Sequence, residues 1–123
     1  KKNKMLLVEK IRKYKPKIII TNAIKDRHPD HEKASKIVYD SCFISGLSKY
    51  KTRYNGKNQK KWKPEFILYS IQDKYIEPDF VFDITPFFEK KLKTIPKTKW
   101  ARLIKKTTND FFSLVFTKEF HKA

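Results

Sequence analysis

The sequence has little of what several protein classes require. A single cysteine, Cys42, in 123 residues excludes a disulfide scaffold and a zinc finger built on cysteine. Two glycines exclude the glycine-rich loops that bind dinucleotides. No run of 18 apolar residues is present, so no transmembrane helix is expected, and the short apolar stretch near the N-terminus is unlike a signal peptide. We therefore expect a cytoplasmic protein without membrane association.

Acidic residues are also scarce, since 13 Asp and Glu stand against 30 Lys and Arg, for a net charge of +17. Residues 1–17 and 86–123 hold fourteen of these surplus charges, whereas residues 18–85 are nearly balanced, with twelve basic and nine acidic residues. Only four of the basic residues are arginines, the type preferred for bidentate phosphate contacts. The abundant Lys, Asn, Ile, Phe and Tyr all have A/T-rich codons, so a biased genome accounts for this composition. Nucleic acid is therefore an unfavoured partner, although a small basic nucleic-acid-binding protein remains the alternative function.

Apolar periodicity in the first third of the chain predicts a helix, a strand and a second helix. The helix over residues 5–14 ends before Pro16, because proline disfavours the α conformation in the residue before it. The β-branched run at 17–21 is typical of a strand buried on both faces of a parallel sheet. Pro29 suits the first position of a helix that continues to Gly46. This order predicts an α/β fold for a single domain, and the 39% of hydrophobic residues suffice for its core.

The rest of the chain begins with a polar stretch, residues 48–64, that we interpret as an excursion from the core with a turn at Asn55-Gly56. Thr85 and Pro86 predict a helix start, with Thr85 as the N-cap. The further elements are predicted as two strands and two helices, over residues 66–71, 79–84, 85–95 and 100–116.

The side chains that could bind a metal or take part in catalysis cluster between the first strand and the second helix. They lie in the sequence Asp26-Arg27-His28-Pro29-Asp30-His31. In open α/β sheets, ligands bind at the carboxyl ends of the strands, which is where this cluster falls. The histidines are three residues apart, about one helical turn, so one ring can face a metal and the other a substrate. Plain helix capping is the alternative, because Asp30 in a first turn favours the helix dipole without any catalytic role.

The motif RHPDH, preceded by KPKIIITN, resembles the second motif of the LmbE/PIG-L family of zinc-dependent N-acetyl-sugar deacetylases. The later segments WKP, FILYSIQDKYIEPDFVFDIT and FEKKL resemble the branch that deacetylates N-acetylglucosaminyl malate in bacillithiol biosynthesis. The resemblance assigns residues 1–95 to such a domain and implies a Rossmann-like three-layer sheet with flanking helices. Residues 96–123 depart from the family pattern and are predicted to form a basic, helical extension.

The resemblance also implies a role for each residue of the motif. His31 corresponds to a Zn²⁺ ligand, and His28 to the residue that stabilises the tetrahedral intermediate and the departing amine. Asp30 corresponds to the carboxylate that supports that histidine. Arg27 and Asp26 adjoin the site and are expected to contact sugar hydroxyls or the malate carboxylate of the small-molecule substrate.

The family's first motif, His-Pro-Asp-Asp, supplies two further zinc ligands and the general base, and this sequence lacks it. Only 27 residues precede His28, and none of them is histidine. We therefore expect the C-terminal part of a longer deacetylase, with an incomplete sheet, no activity on its own and a possible homo-oligomeric state in its complete form. His121 is a remote candidate for a missing ligand, and an inactive, decayed fragment is a further alternative.

Overall fold

The computed structural model describes residues 2–94 and 113–120 of the chain. They form a mixed α/β fold. Its elements, in chain order, are helix α1 (Lys2–Tyr14), strand β1 (Ile18–Asn22), helix α2 (Pro29–Ser45), strands β2 (Arg53–Tyr54), β3 (Lys57–Asn58), β4 (Phe66–Ser70) and β5 (Phe80–Asp83), a 3₁₀ turn (Thr85–Phe87), helix α3 (Phe88–Thr94) and strand β6 (Ser113–Phe120).

The ends of the first two helices follow the predicted signals. α1 stops at Tyr14, and the next residue, Lys15, has a positive φ of 48° immediately before Pro16. α2 begins with Pro29 at its first turn and ends at Ser45, where the N–H of Gly46 closes the helix by donating to Phe43 O. Both helices are therefore confirmed, with α1 extended to Lys2 at its start.

The main sheet has the strand order β1-β4-β6-β5. β1 and β4 are parallel, and β6 is antiparallel to both of its neighbours, β4 and β5. β1, β4 and β5 consequently run in the same direction, and their carboxyl ends lie at one edge of the sheet. The connection from β1 through α2 to β4 is the α/β unit that the sequence predicts.

The helix expected over 96–123 is corrected where the chain is described, because residues 113–120 form a strand in the centre of the sheet. The run Ser113–Phe120 is rich in aromatic and β-branched types, which favour a strand when partners are present. Pairing with β4 on one side and β5 on the other supplies those partners. The other residues of the expected extension and of the helix predicted over 100–116 lie outside the described residues.

β1 also differs from the prediction that both of its faces are buried. Ile19 packs against the core, whereas Ile18 and Ile20 on the opposite face are 54% and 64% exposed. The alternation arises because α1 and α2 cover only the face that carries Ile19 and, on β4, Ile67. The other face of β1 remains uncovered in the part of the chain that the structure describes.

The core between the helices and the sheet is small and centres on Ile11 of α1, Cys42 of α2 and Ile67 of β4. Cys42 has no exposed surface, and burial raises the pKa of its thiol to about 12. Cys42 therefore acts as a small buried hydrophobe.

Arg12 of α1, a residue that is only 3% exposed, joins the start of the polar excursion, residues 48–64, to the helices. Arg12 donates to four oxygens that precede or enter the β2–β3 hairpin, namely Ser45 O at 3.1 Å, Leu47 O at 2.8 Å, Tyr50 O at 2.6 Å and Thr52 Oγ1 at 2.9 Å. The predicted turn is confirmed, since Asn55 and Gly56 have φ of 49° and 76° between the paired β2 and β3. These two positive φ values are typical of a two-residue hairpin loop.

The start of the helix predicted over residues 85–95 differs in detail. Thr85 opens a 3₁₀ turn rather than an α-helix, and its side chain is not the cap. Instead Oδ1 of Asp83 accepts the backbone N–H of Thr85 at 2.8 Å, and hydrogen bonding to Thr85 lowers the pKa of Asp83. α3 then runs from Phe88 to Thr94.

Substitution of Arg12 by Ala should lower the free energy of unfolding by about 2–4 kcal/mol, because it leaves several partly buried carbonyls without donors. Arg53→Ala is the matched control, since Arg53 is exposed and its loss should cost less than about 0.5 kcal/mol. Urea unfolding followed by circular dichroism measures both. Equal effects of the two substitutions would contradict the structural role of Arg12.

The Cys42 thiol should be inert in the folded protein, because a buried thiol with a pKa of about 12 has almost no thiolate at neutral pH. Reaction with a chromogenic disulfide reagent at neutral pH should be slow when native and immediate in concentrated guanidinium. A fast stoichiometric reaction of the native protein would place Cys42 at the surface instead.

Candidate functional site

The predicted cluster lies in the loop between β1 and α2, at the carboxyl edge of the parallel strands. The loop that follows β4 reaches the same edge, because Arg27 Nε is 3.6 Å from Asp73 Oδ1. A second ion pair joins the loop after β4 to the first turn of α2, with Lys74 Nζ 3.8 Å from Glu32 Oε1. The α/β topology therefore brings residues that are distant in sequence to one edge, and both loops can contribute to a ligand site.

Asp26 organises this loop from beneath. Its side chain is 2% exposed, and its Oδ1 accepts the backbone N–H of His28 at 2.9 Å. Its other oxygen, Oδ2, lies at ion-pair distance from Nδ1 of His31, 3.1 Å away, and both atoms are buried without a hydrogen-bond partner among the described residues. The hydrogen bond from His28 N–H and then the contact with His31 lower the pKa of Asp26, so the carboxylate is charged at neutral pH.

His31 is held with a defined orientation of its ring. The Asp26 carboxylate beside Nδ1 favours a proton on that nitrogen, which leaves the lone pair on Nε2. The side chain is 37% exposed, so this ring is accessible to solvent although Nδ1 is buried. A carboxylate behind a histidine in this way is the usual support of a metal-ligating imidazole.

His28 is the N-cap of α2 and has the opposite tautomer preference. Its Nδ1 accepts the backbone N–H of Asp30 at 3.3 Å, so the neutral ring carries its proton on Nε2. The two imidazoles are stacked, with ring centroids 5.0 Å apart and an angle of 26° between the planes. Thus one ring of the pair offers a lone pair and the other offers an N–H donor at neighbouring positions.

The other three predicted site residues, Asp30, Arg27 and Asp26, differ in their exposure and in the groups that they contact. Asp30 is 72% exposed and its Oδ2 is 4.0 Å from Nδ1 of His28, so its closest link to that ring is through the backbone N–H. Arg27 is 81% exposed and reaches over the loop after β4. Asp26, expected beside Arg27 at the substrate, is instead directed inward and presents almost no surface to a ligand.

Two features of the site are not among the predictions from the sequence: the positioning role of Asp26 and the position of Asp73 next to Arg27. A signal for the role of Asp26 is present in the sequence. An aspartate two residues before the N-cap of a helix commonly accepts the backbone N–H of that N-cap residue, as in an Asx turn. The position of Asp73 next to Arg27 has no local signal in the sequence, since it depends on the pairing of β1 with β4.

The donor set for a metal is incomplete in the described chain. Residues 2–94 and 113–120 contain no group of three or more His, Cys, Asp or Glu side chains placed to hold a metal ion. His31 fits a single ligand position, because its Nε2 is free and its Nδ1 is supported. His121 lies outside the described residues.

No helix in the described ranges is both long and apolar enough to cross a membrane.

No protein-family model matches the chain. Among solved structures, the fold is similar to that of the conserved protein TT1542 from Thermus thermophilus, with a TM-score of 0.67 and 21% identity over 75% of this chain and 40% of that one. It is also similar to GalB, the 4-carboxy-2-hydroxymuconate hydratase from Pseudomonas putida, with a TM-score of 0.74 and 14% identity over 100% of this chain and 60% of that one. The chain thus spans about half the length of these two structures, and at such identities the likeness shows an α/β fold.

The two histidines should show opposite tautomers. Long-range ¹H–¹⁵N spectra of the neutral rings, recorded in mildly alkaline solution, should show His31 protonated at Nδ1 and His28 at Nε2. Asp26→Ala should move the His31 proton to Nε2, because the acceptor beside Nδ1 is lost. Asp30→Ala is the matched control and should leave His31 unchanged. The Nε2–H form of His31 in the unsubstituted protein would contradict the geometry.

Proposed function

We propose that this chain supplies part of the active site of a zinc-dependent hydrolase that removes the N-acetyl group from an N-acetylglucosamine conjugate, with N-acetylglucosaminyl malate as the expected substrate. The domain is then Rossmann-like and three-layered in its complete form, as the LmbE/PIG-L resemblance implies. The observation that carries the proposal is the pairing of His31 with buried Asp26, 3.1 Å apart, at the carboxyl edge of parallel strands.

His31 would hold the metal through Nε2. Asp26 supports this role by keeping the proton on Nδ1 and by fixing the ring, which is how ligating histidines are commonly oriented. When bound, zinc would polarise the acetamide carbonyl and lower the pKa of a water molecule. Because a catalytic zinc site takes three protein ligands, two further donors must come from outside the described residues.

His28 would act on the substrate. Its Nε2–H can donate a hydrogen bond to the oxyanion that develops on the acetamide oxygen, since its Nδ1 already accepts from Asp30 N. The stacked position beside His31 brings this donor close to the carbonyl that the metal would polarise. Stabilisation by a fixed donor of this kind is typically worth about 10²–10³ in turnover.

Arg27 would bind the acidic part of the conjugate. Its side chain is 81% exposed. Its carboxylate partner, Asp73, lies 3.6 Å away, which is longer than a hydrogen bond. A malate carboxylate can replace that partner through a bidentate pair, which is the geometry that guanidinium groups favour. Arg27 is therefore proposed for substrate affinity rather than for metal binding.

The function is tested by amine release from N-acetylglucosaminyl malate, with zinc measured by elemental analysis on the same samples. Residues 1–123 alone should bind zinc weakly and release no amine, because the described residues lack a full ligand set. Co-expression with the sequence encoded upstream of Lys1 should restore both properties. Tight stoichiometric zinc with full activity in residues 1–123 alone would contradict the proposal, as would a restored assembly that binds zinc but does not act on the substrate.

In the restored enzyme, His31→Ala should lose zinc and turnover together, whereas His28→Ala should keep its zinc and lose turnover by about 10²-fold or more. The difference follows because only His31 has its Nε2 lone pair free. Equal loss of zinc in the two variants would show that the roles are misassigned.

Arg27→Ala in the same enzyme should raise KM for the malate conjugate by about tenfold with zinc content unchanged, since one charge-assisted pair is lost. Arg27→Lys should recover only part of the affinity, because an ammonium lacks the planar fork. N-acetylglucosamine without malate is the control substrate, and its KM should not respond to either substitution.

A further inference from the structure

Within residues 18–85, where the total charge is nearly balanced, the basic and acidic residues are unevenly distributed. Residues 48–64 hold seven of the twelve basic residues of that range and none of its nine acidic residues. All seven are exposed: Lys49, Lys51, Arg53, Lys57, Lys60, Lys61 and Lys63. An A/T-rich genome explains many lysines, but it does not explain their concentration in one segment without a carboxylate. We call residues 48–64 the basic segment.

The fold places the basic segment far from the candidate site. The segment leads into the start of β4, where Glu65 N–H donates to Lys17 O at 2.8 Å just before β1 begins. The basic segment is thus at the amino edge of the parallel strands, and the histidines are at the carboxyl edge. A five-residue strand of about 3.3 Å per residue separates these edges by roughly 16 Å. The two surfaces are therefore distinct.

The basic segment is held firmly against α1, which adds cations and aromatic rings to the same surface. Trp62 Nε1 donates to Pro16 O at 2.9 Å, and Arg12 binds the backbone before the hairpin. Lys13 of α1 lies between two tyrosine rings, with Nζ 4.2 Å from the centroid of Tyr54 and 4.8 Å from that of Tyr14. The surface is thus a built arrangement of cations and rings.

Its cations are available for an anionic ligand. Among the described residues, no carboxylate lies within ion-pair distance of Lys49, Lys51, Lys57, Lys60 or Lys61. Near the same edge, Lys10 pairs with Glu9 of α1, and Lys17 pairs with Glu65. Two aromatic side chains beside them are open to solvent, Tyr14 at 69% and Tyr50 at 40% exposed. Lysine supplies charge for phosphates without the planar fork that reads bases, and exposed rings supply stacking.

We propose that the surface formed by the basic segment and the C-terminal half of α1 binds single-stranded nucleic acid without sequence preference. Lysines contact the phosphate backbone, and Tyr14 and Tyr50 stack with bases. Exposed tyrosines favour a ligand with unpaired bases over a lipid surface, which offers no π-faces to stack on. This binding is independent of the deacetylase proposal, since it uses neither histidine.

The test is fluorescence anisotropy of residues 1–123 with a labelled oligo(dT) of about 20 nucleotides, longer than the ~4–16 nucleotides that one small domain covers. Affinity should fall linearly on a log–log plot as KCl rises from about 50 to about 200 mM, as phosphate contacts require. A mixed-sequence oligonucleotide should bind within about threefold of oligo(dT). Absence of binding at about 50 mM KCl would overturn the proposal.

Matched charge variants locate the surface. The triple substitution Lys57→Gln, Lys60→Gln and Lys61→Gln should lower the affinity at least tenfold and reduce the salt slope by about 2, at ~0.7 per phosphate contact. The control triple Lys25→Gln, Lys33→Gln and Lys36→Gln removes the same charge at exposed positions of the other edge, and it should cost less than about threefold. Equal losses in the two triples would mean that only net charge matters and would overturn the assignment.

Tyr14→Ala should weaken binding by about fivefold or more at every salt concentration without changing the slope, because stacking is uncharged. Vesicles of phosphatidylserine test whether the surface binds anionic lipid instead of nucleic acid. Binding to these vesicles, with no response of oligo(dT) affinity to Tyr14→Ala, would show an electrostatic surface for lipid and contradict the nucleic-acid assignment.

Discussion

The carboxylate of Asp26 makes two contacts on which the candidate site depends. One oxygen accepts the N–H of His28 and so shapes the turn into α2, and the other lies against Nδ1 of His31 in the first turn of that helix. Because the side chain is buried, both contacts act in a medium where charge-assisted interactions are stronger than in water. A single residue therefore shapes the turn into the helix and favours the Nδ1–H tautomer of the histidine that is proposed to bind a cation.

Two buried residues of opposite charge, Asp26 and Arg12, position different parts of this small fold. Asp26 organises the carboxyl edge of the sheet. Arg12 holds the basic segment near the amino edge through two acceptors in that segment and two acceptors just before it. Both are charged groups with little exposure, which are retained only where hydrogen bonds compensate for the loss of water. The arrangement gives the molecule a histidine edge in which carboxylates pair with cations and a lysine edge at which residues 48–64 contain no acidic residue. Under the two proposals, an acetamide substrate with an acid group would bind at the first edge, and a single-stranded nucleic acid would bind at the second.

The parts of the fold that could be predicted are those with local signals. Pro16, Pro29 and Gly46 mark helix boundaries through backbone constraints, and Asn55-Gly56 marks the hairpin turn. β6 could not be predicted, since the run of aromatic and apolar residues there fits either helix or strand, and its pairing with β4 and β5 decides between them. The exposure of Ile18 and Ile20 was likewise missed, because burial of a strand face depends on which helices cover it. At the site, the histidines were found by their spacing, whereas the inward direction of Asp26 depends on the loop conformation that its own hydrogen bonds create.

The central claim is that Asp26 leaves His31 with an accessible Nε2 lone pair for a cation. A zinc titration of residues 1–123 followed by long-range ¹H–¹⁵N spectra tests it directly, even where the affinity is weak. The account predicts that the His31 Nε2 resonance shifts with added Zn²⁺ while Nδ1 stays protonated, and that the response disappears in Asp26→Ala. A His31 signal that does not respond to zinc, or one that responds equally with and without the Asp26 carboxylate, would contradict it.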